Sequence, residues 1–255
     1  MKIISLPCKT LIKKEINRFL SVYRQTVITP VLSSFLYLFI FGYSLGNKIN
    51  MESDFSYLQF VIPGLIIMGI INNSYQNTSS SIITSKFHGN IHDLLVAPIS
   101  HTEFVVGYTA GALLRGMAVG LIIYLTSLIF IISNIHSLII VILMATITSC
   151  IFGQFGIIAG ILSKSFDELS VITNYMLMPL TYLGGVFYSI NLLHPFFQKI
   201  TFINPLFYMV DTFRYGFLGV SDINPLIGFS VSLLFCLILN FYTIKLISTG
   251  KGLRD

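Results

Sequence analysis

Five stretches of this chain contain no Asp, Glu, Lys or Arg, and they decide what it can fold into. They lie between Arg24 and Lys48, Asp54 and Lys86, Arg115 and Lys164, Glu168 and Lys199, and Asp222 and Lys245. A helix that crosses a bilayer needs about 20 mostly apolar residues. Each gap holds one such helix, and the Arg115–Lys164 gap holds most of two. Backbone polar groups in lipid must be satisfied internally, which leaves helix bundles and closed barrels. The runs are continuously apolar rather than alternating, so helices are selected over barrel strands. Composition agrees: only 10% of the 255 residues are charged and 55% are apolar. So few charges cannot clothe a soluble globule, and so much apolar surface excludes disorder. The chain reads as an all-α membrane protein.

Six spans are expected, over 27–46, 57–83, 104–131, 138–162, 169–187 and 225–244. No internal repeat or low-complexity tract interrupts them. Six spans place both termini on one side of the membrane. That side receives Lys2, Lys9, Lys13, Lys14, Arg18 and Arg24, then Lys86, Lys164, Lys245, Lys251 and Arg254; the other receives Lys48, Lys199 and Arg214. The bias in basic residues sets that side as cytoplasmic. The net charge of +5 therefore reports topology, and no nucleic-acid partner is expected because the basic residues are not gathered on one exposed domain.

The first 26 residues do not read as a signal peptide, since charges recur up to Arg24. Leu11, Ile12, Ile16, Phe19, Leu20 and Tyr23 recur at helical spacing, with Lys13, Lys14, Asn17, Arg18 and Ser21 opposite. This is an amphipathic helix lying in the interface. It serves as a topology anchor, as a docking surface for a soluble partner, or as both.

Most catalytic constellations are missing. Gly42-Tyr43-Ser44-Leu45-Gly46 fits the nucleophile-elbow spacing, but that motif needs a strand-to-helix turn and here sits at the end of an expected membrane helix. His88 and His92 are four apart beside Asp93, with no third ligand at a recognisable spacing. Thr249-Gly250-Lys251-Gly252 lacks the upstream glycine and following hydroxyl of a phosphate-binding loop. Cys8, Cys150 and Cys236 are spaced for neither disulfides nor zinc and read as small apolar residues. No span carries a central carboxylate of the kind an ion-coupled carrier uses.

Within the spans, three kinds of residue stand out. Gly107/Gly111, Gly116/Gly120 and Gly156/Gly160 are four apart and predict close helix packing. Asn72, Asn73, Tyr75, Gln76 and Asn77 in the second span, with Asn174, Tyr175 and Tyr182 in the fifth, are costly against lipid. They serve as interhelical hydrogen-bond partners or as the lining of a substrate path. Arg115 is the one clear intramembrane charge. It snorkels to the interface or faces a protein or water-filled interior.

Two connecting stretches complete the pattern. Lys86–Ser100 contains Ile91, Leu94 and Leu95 on one face of a short helix that Pro98 ends. Phe202–Gly219 is too apolar for a free loop, is broken by Pro205, and carries Asp211 and Arg214 three apart; it reads as helix dipping partly into the outer leaflet. The order of these pieces over the whole chain resembles the permeases of type 2 ATP-binding-cassette exporters. The matching residues are Asp93-Leu94-Leu95-Val96-Ala97-Pro98 with Glu103, Gly107, Gly111 and Arg115, then Pro179 to Phe187 with Gly185. Asn204, Pro205, Tyr208, Asp211, Arg214 and Gly219 close the set. His92 departs from the pattern, standing where such permeases often carry a carboxylate.

The resemblance implies one transmembrane permease domain over 1–255: an interfacial helix to residue 26, a six-span bundle over 27–246 and a tail over 247–255. It implies residence in the cell's inner membrane and pairing of two permeases. A separate ATP-binding-cassette subunit would hold ATP and magnesium, with no cofactor and no catalysis on this chain. Lys13, Lys14, Arg18, Phe87, Ile91, Asp93, Leu94 and Leu95 would form the contact with that ATPase. The path outward would run between the second and fifth spans, along the polar residues named above. The alternatives are an ion-coupled secondary transporter and, on the weak Gly42–Gly46 match alone, a membrane-embedded enzyme.

Overall fold

The computed structural model describes residues 5–41, 55–91, 96–131, 135–250 and 252, and among these every regular element is helical. In chain order the helices are α1 (Leu6–Ser21), α2 (Tyr23–Phe39), α3 (Tyr57–Phe87), α4 (His101–Ser127) and α5 (Leu138–Leu162). The next segment is built in pieces: α6 (Phe166–Ile172), a π-helical stretch Thr173–Leu177, and α7 (Met178–Tyr182). Then follow α8 (Pro195–Ile203), α9 (Pro205–Leu218) and α10 (Pro225–Thr249). Four helices, α3, α4, α5 and α10, are long and apolar enough to cross a membrane.

The helix starts follow from local chemistry. Ser56 with Gln59 and Ser100 with Glu103 form capping boxes that satisfy the first backbone amides of α3 and α4. Asn204 and Asn224 cap α9 and α10, each followed by a proline whose missing N–H costs nothing there. Gly219 and Gly250 end those helices at φ of 74° and 68°, a left-handed conformation that favours glycine. α3 has 31 residues, about 46 Å at 1.5 Å per residue, so it outruns a hydrocarbon core of about 30 Å.

α3 is the centre of the bundle and packs along α5, α4 and α9. Close approach is what the glycines provide. A Cβ on Gly156 would overlap the Tyr75 carbonyl and the Thr78 hydroxyl of α3. Thr78 Oγ1 donates to the Gly153 carbonyl at 2.7 Å and Ser74 Oγ to the Ala112 carbonyl at 3.2 Å, stitching α3 to α5 and α4. Gly156→Ala should therefore cost about 2 kcal/mol through overpacking. A midpoint in thermal unfolding about 5 °C lower is the expected reading, and an unchanged midpoint would show that the two helices can part freely.

α10 is apolar all round and little buried: Leu226, Leu234, Leu237 and Phe241 are all exposed. α2 likewise exposes Ile28, Leu32 and Phe39. Such surfaces belong in lipid or against another chain. α9 is the reverse. It packs against α3, α5 and α10, and most of its residues are buried.

Several span limits differ from the sequence reading. The 138–162 helix has the expected ends, whereas α3 continues to Phe87 and α10 to Thr249. The stretch expected to be helical to residue 187 stops at Tyr182, because the chain turns at Gly184-Gly185 and Gly185 takes φ of 75°. Residues 42–54 lie outside the described residues, and with them the end of the 27–46 span and the Gly42–Gly46 motif.

Candidate functional site

Two adjoining cavities, about 370 Å³ and about 540 Å³, open in the bundle and share Gln25, Gln76, Arg115 and Met178. Helices α2, α3 and α4 wall the first. The second is walled by the end of α1, by α3, and by α6 with the π-helical stretch. Asn72, Asn73 and Gln76 line the first; Tyr75, Gln76 and Asn174 line the second. Asn72 Nδ2 donates to the Met68 carbonyl at 3.0 Å and Asn73 Nδ2 to Gly69 at 3.1 Å. These bonds back into their own helix hold the amides in place. Tyr75 is buried, and Thr173 Oγ1 donates to its hydroxyl at 3.2 Å, which joins α3 to the π-helical stretch.

The other path candidates are elsewhere. Asn77 is fully buried and faces α1: its carbonyl and its Oδ1 accept from Arg18 Nη2. Tyr175 is 79% exposed and lines neither cavity. Tyr182 also lines neither; its ring stacks near Phe187, and Tyr188 Oη donates to its carbonyl. Sequence reasoning missed the α2 wall. Gln25, Thr29 and Ser33 line the first cavity, and their spacing of four makes a polar stripe that an apolar-only reading passes over.

Arg115 faces the interior, 4% exposed, and lines both cavities. The residues lining the two cavities include no Asp or Glu.

α1 presents part of the face its pattern predicts, with Leu11 buried and Ile12, Ile16 and Phe19 partly so, but it departs at Glu15, Arg18, Leu20 and Tyr23. Cys8, Leu11 and Glu15 point inward, while Leu20 and Tyr23 are exposed. Glu15 is fully buried; Ser81 Oγ donates to its Oε1 at 2.7 Å and Arg18 Nε lies 3.4 Å from Oε2. Arg18 Nη1 donates to Ser80 at 3.1 Å. Arg18, expected on the ATPase contact, is instead turned toward the bundle, where the Glu15 carboxylate and the Asn77 carbonyl offset the cost of its partial desolvation. Burial, and next the nearby charge of Glu103, push the Cys8 thiol up from its ordinary range.

Lys13 and Lys14 stay on the open side of α1. Phe87 is 76% exposed and meets Phe166 edge to face. Ile91, expected on the same contact, is instead buried in an apolar cluster with Leu11, Ile82 and Ile158. It anchors the connecting segment. Asp93, Leu94, Leu95 and His92 lie outside the described residues. Pro98 is exposed just before the Ser100–Glu103 capping box. Pro179 sits in the first turn of α7.

The remaining motif residues make their contacts at the opposite end of α3. Asn204 Nδ2 donates to the Leu180 carbonyl at 2.7 Å while its Oδ1 caps α9. Arg214 Nη2 donates to the Gly185 carbonyl, and its guanidinium lies 3.8 Å from the Phe60 ring centroid. Asp211 is 3.9 Å from Arg214 and accepts from the backbone amides of Asp222 and Ile223. Tyr208 Oη donates to the Phe202 carbonyl, bridging α9 to α8. Pro205 opens α9 and Gly219 ends it. This is scaffolding: its hydrogen bonds are directed at backbone or at a neighbour, with Arg214 Nε left buried and unpartnered, and none of these residues lines the cavities. Among the described residues no group of three His, Cys, Asp or Glu converges as a metal site would.

An apolar helical bundle with two open cavities edged by amides and Arg115, buttressed by a buried Asp–Arg helix, is an arrangement that suits a membrane permease. Residues 7–218 match the family described as ABC-2 type transporter, and the chain belongs to it, as a membrane permease subunit. The "Inner membrane transport permease YadH" of Escherichia coli (strain K12) is 42% identical over 249 residues, covering 97% of this chain and 96% of that one. The protein of the same description from Shigella flexneri matches to the same extent. "Nodulation protein J" of Neorhizobium galegae is 24% identical over 166 residues, 65% of this chain and 63% of its own.

Proposed function

We propose that the chain is the permease of an inner-membrane exporter, crossing six times with both termini cytoplasmic. Two copies pair, and each engages a separate ATP-binding-cassette subunit that carries ATP and magnesium. The two uncounted spans are α2 with its continuation, and the α6–α7 segment. The observation that carries the reading is the pair of cavities around Arg115. Their polar groups come from α2, α3 and the fifth-span segment, and they stand on the open side of an otherwise apolar bundle. The exposed apolar faces of α2 and of Val171, Tyr175 and Met176 supply the surface on which a second copy completes the wall. Lys13, Lys14 and Phe87 mark the face that meets the ATPase, together with Asp93, Leu94 and Leu95. With no carboxylate among the lining residues, nothing there loads a proton or cation as an ion-coupled carrier requires.

The test is the double variant Asn73→Leu with Gln76→Leu, co-purified with its ATP-binding subunit and compared for ATP turnover in nanodiscs. Removing two amides that face the path should lower transport-linked turnover on the order of tenfold while assembly is kept. Unchanged turnover would remove the path from this cavity, and failure of any ATP-binding-cassette subunit to co-purify with the wild-type chain would remove the reading itself.

A further inference from the structure

We propose that the Arg115 cavity binds the acidic head group of an amphipathic anion, a phosphate or carboxylate carried on an apolar body. This rests on the permease reading above and names the chemistry of its substrate.

Arg115 is fourteen residues into α4 from His101, about 21 Å along the helix and so deep in the bilayer. It is 4% exposed, its Nε is buried without a partner, and no hydrogen bond or ion pair reaches it among the described residues. A guanidinium in that position is unstable until a counter-charge arrives. The neighbouring cation does not relieve it. Arg18 lines the second cavity too, but its donors are taken up by Asn77 and Ser80, and it shares the Glu15 carboxylate with Lys14. The cavities therefore keep the unpaired positive charge of Arg115 and no lining carboxylate.

The rest of the lining selects among anions. Gln25 and Gln76 offer neutral amide donors beside Arg115, and the guanidinium fork matches the two oxygens of a phosphate or carboxylate. Leu65, Met68 and Ile123 make an apolar wall next to them, against which a tail can lie. A cationic amphiphile would be repelled, and a neutral one would leave Arg115 as it is.

The experiment uses the purified protein in phosphatidylcholine nanodiscs and three probes with one tail: dodecyl phosphate, dodecyl maltoside and dodecyltrimethylammonium. Dodecyl phosphate is expected to bind about tenfold tighter than the other two. Arg115→Gln should weaken dodecyl phosphate about tenfold and leave dodecyl maltoside unchanged, Arg115→Lys should restore part of the loss, and Lys199→Gln on α8 should change nothing. Equal binding of the three head groups to the wild type overturns the proposal, and that comparison needs no variant to fold. An anion preference that survives intact in Arg115→Gln overturns it as well. Displacement of dodecyl phosphate by added phosphatidylglycerol identifies the ligand as a lipid head group; its absence identifies a soluble amphiphile, and both outcomes support the site. Head-group indifference together with a turnover loss in the Asn73/Gln76 double variant would end the anion proposal and leave the permease reading standing.

Discussion

Replacing Arg214 with Met is expected to lower the stability of this permease by about 3–5 kcal/mol, the range for breaking a buried ion pair from one side. Both side chains of the pair are nearly inaccessible, 2% for Arg214 and 1% for Asp211. The methionine fills much of the volume but leaves the Asp211 carboxylate with only the backbone amides of Asp222 and Ile223. It also strips the Gly185 carbonyl of its donor and the Phe60 ring of its cation. Damage spreads because four segments meet here. Asp222, held through Asp211, in turn accepts from Ser189 Oγ at 2.6 Å and from the Ile190 amide at 2.9 Å. The thermal midpoint should fall by about 10 °C. Asp211→Asn combined with Arg214→Met should cost clearly less than the sum of the two, since each single change strands the other's charge. Additivity within about 0.5 kcal/mol would mean the pair is not energetically coupled.

The pattern of charge-free runs located the apolar helices well, because burial in lipid leaves a signal in every residue of a run. α5 over 138–162 and the start of α3 at Tyr57 were legible in this way. Partners were less legible than elements. Gly107 and Gly111 read as a helix-packing stripe, and the stripe does pack closely: Cβ atoms there would press on Leu11 and on the Glu15 Cβ. Its partner is α1, a helix that composition assigns to the interface. Spacing along one helix says that a neighbour comes close and is silent about which. The Asp211–Arg214 spacing predicted a helical pair but not the carbonyl of Gly185, 29 residues away. The π-helical stretch Thr173–Leu177 has no local sequence signature at all. Asp93, Leu94 and Leu95, which carried much of the family resemblance, lie outside the described residues.

Glu15 left little trace in the sequence, and its replacement by Leu should have a functional effect as large as that of emptying the cavity lining of its amides. In an amphipathic helix a glutamate is counted with the polar face, yet this one is fully buried between α3 and α4. It holds Ser81 at 2.7 Å and orients Arg18, which reaches the Asn77 carbonyl and Oδ1 and the Ser80 hydroxyl. Asn77 follows Gln76, which lines both cavities. Two side chains, Glu15 and Arg18, thus link α1 to the residue next to the cavity wall. Hydrogen bonds to a charged group contribute about 1.5–3 kcal/mol, so Glu15→Leu should leave a folded bundle with α1 loosened from α3. In nanodiscs with the ATP-binding subunit, ATP turnover coupled to transport should then drop on the order of tenfold, the factor that 1.4 kcal/mol supplies. Glu15→Gln keeps an acceptor for Ser81 and should retain more of the activity. Arg18→Leu added to Glu15→Leu should cost little further, because the first change already breaks the chain of contacts. Full turnover in Glu15→Leu, with α1 still protected from proteolysis, would show that force reaches the cavity by another route, leaving the exposed segment around Phe87 as the lever.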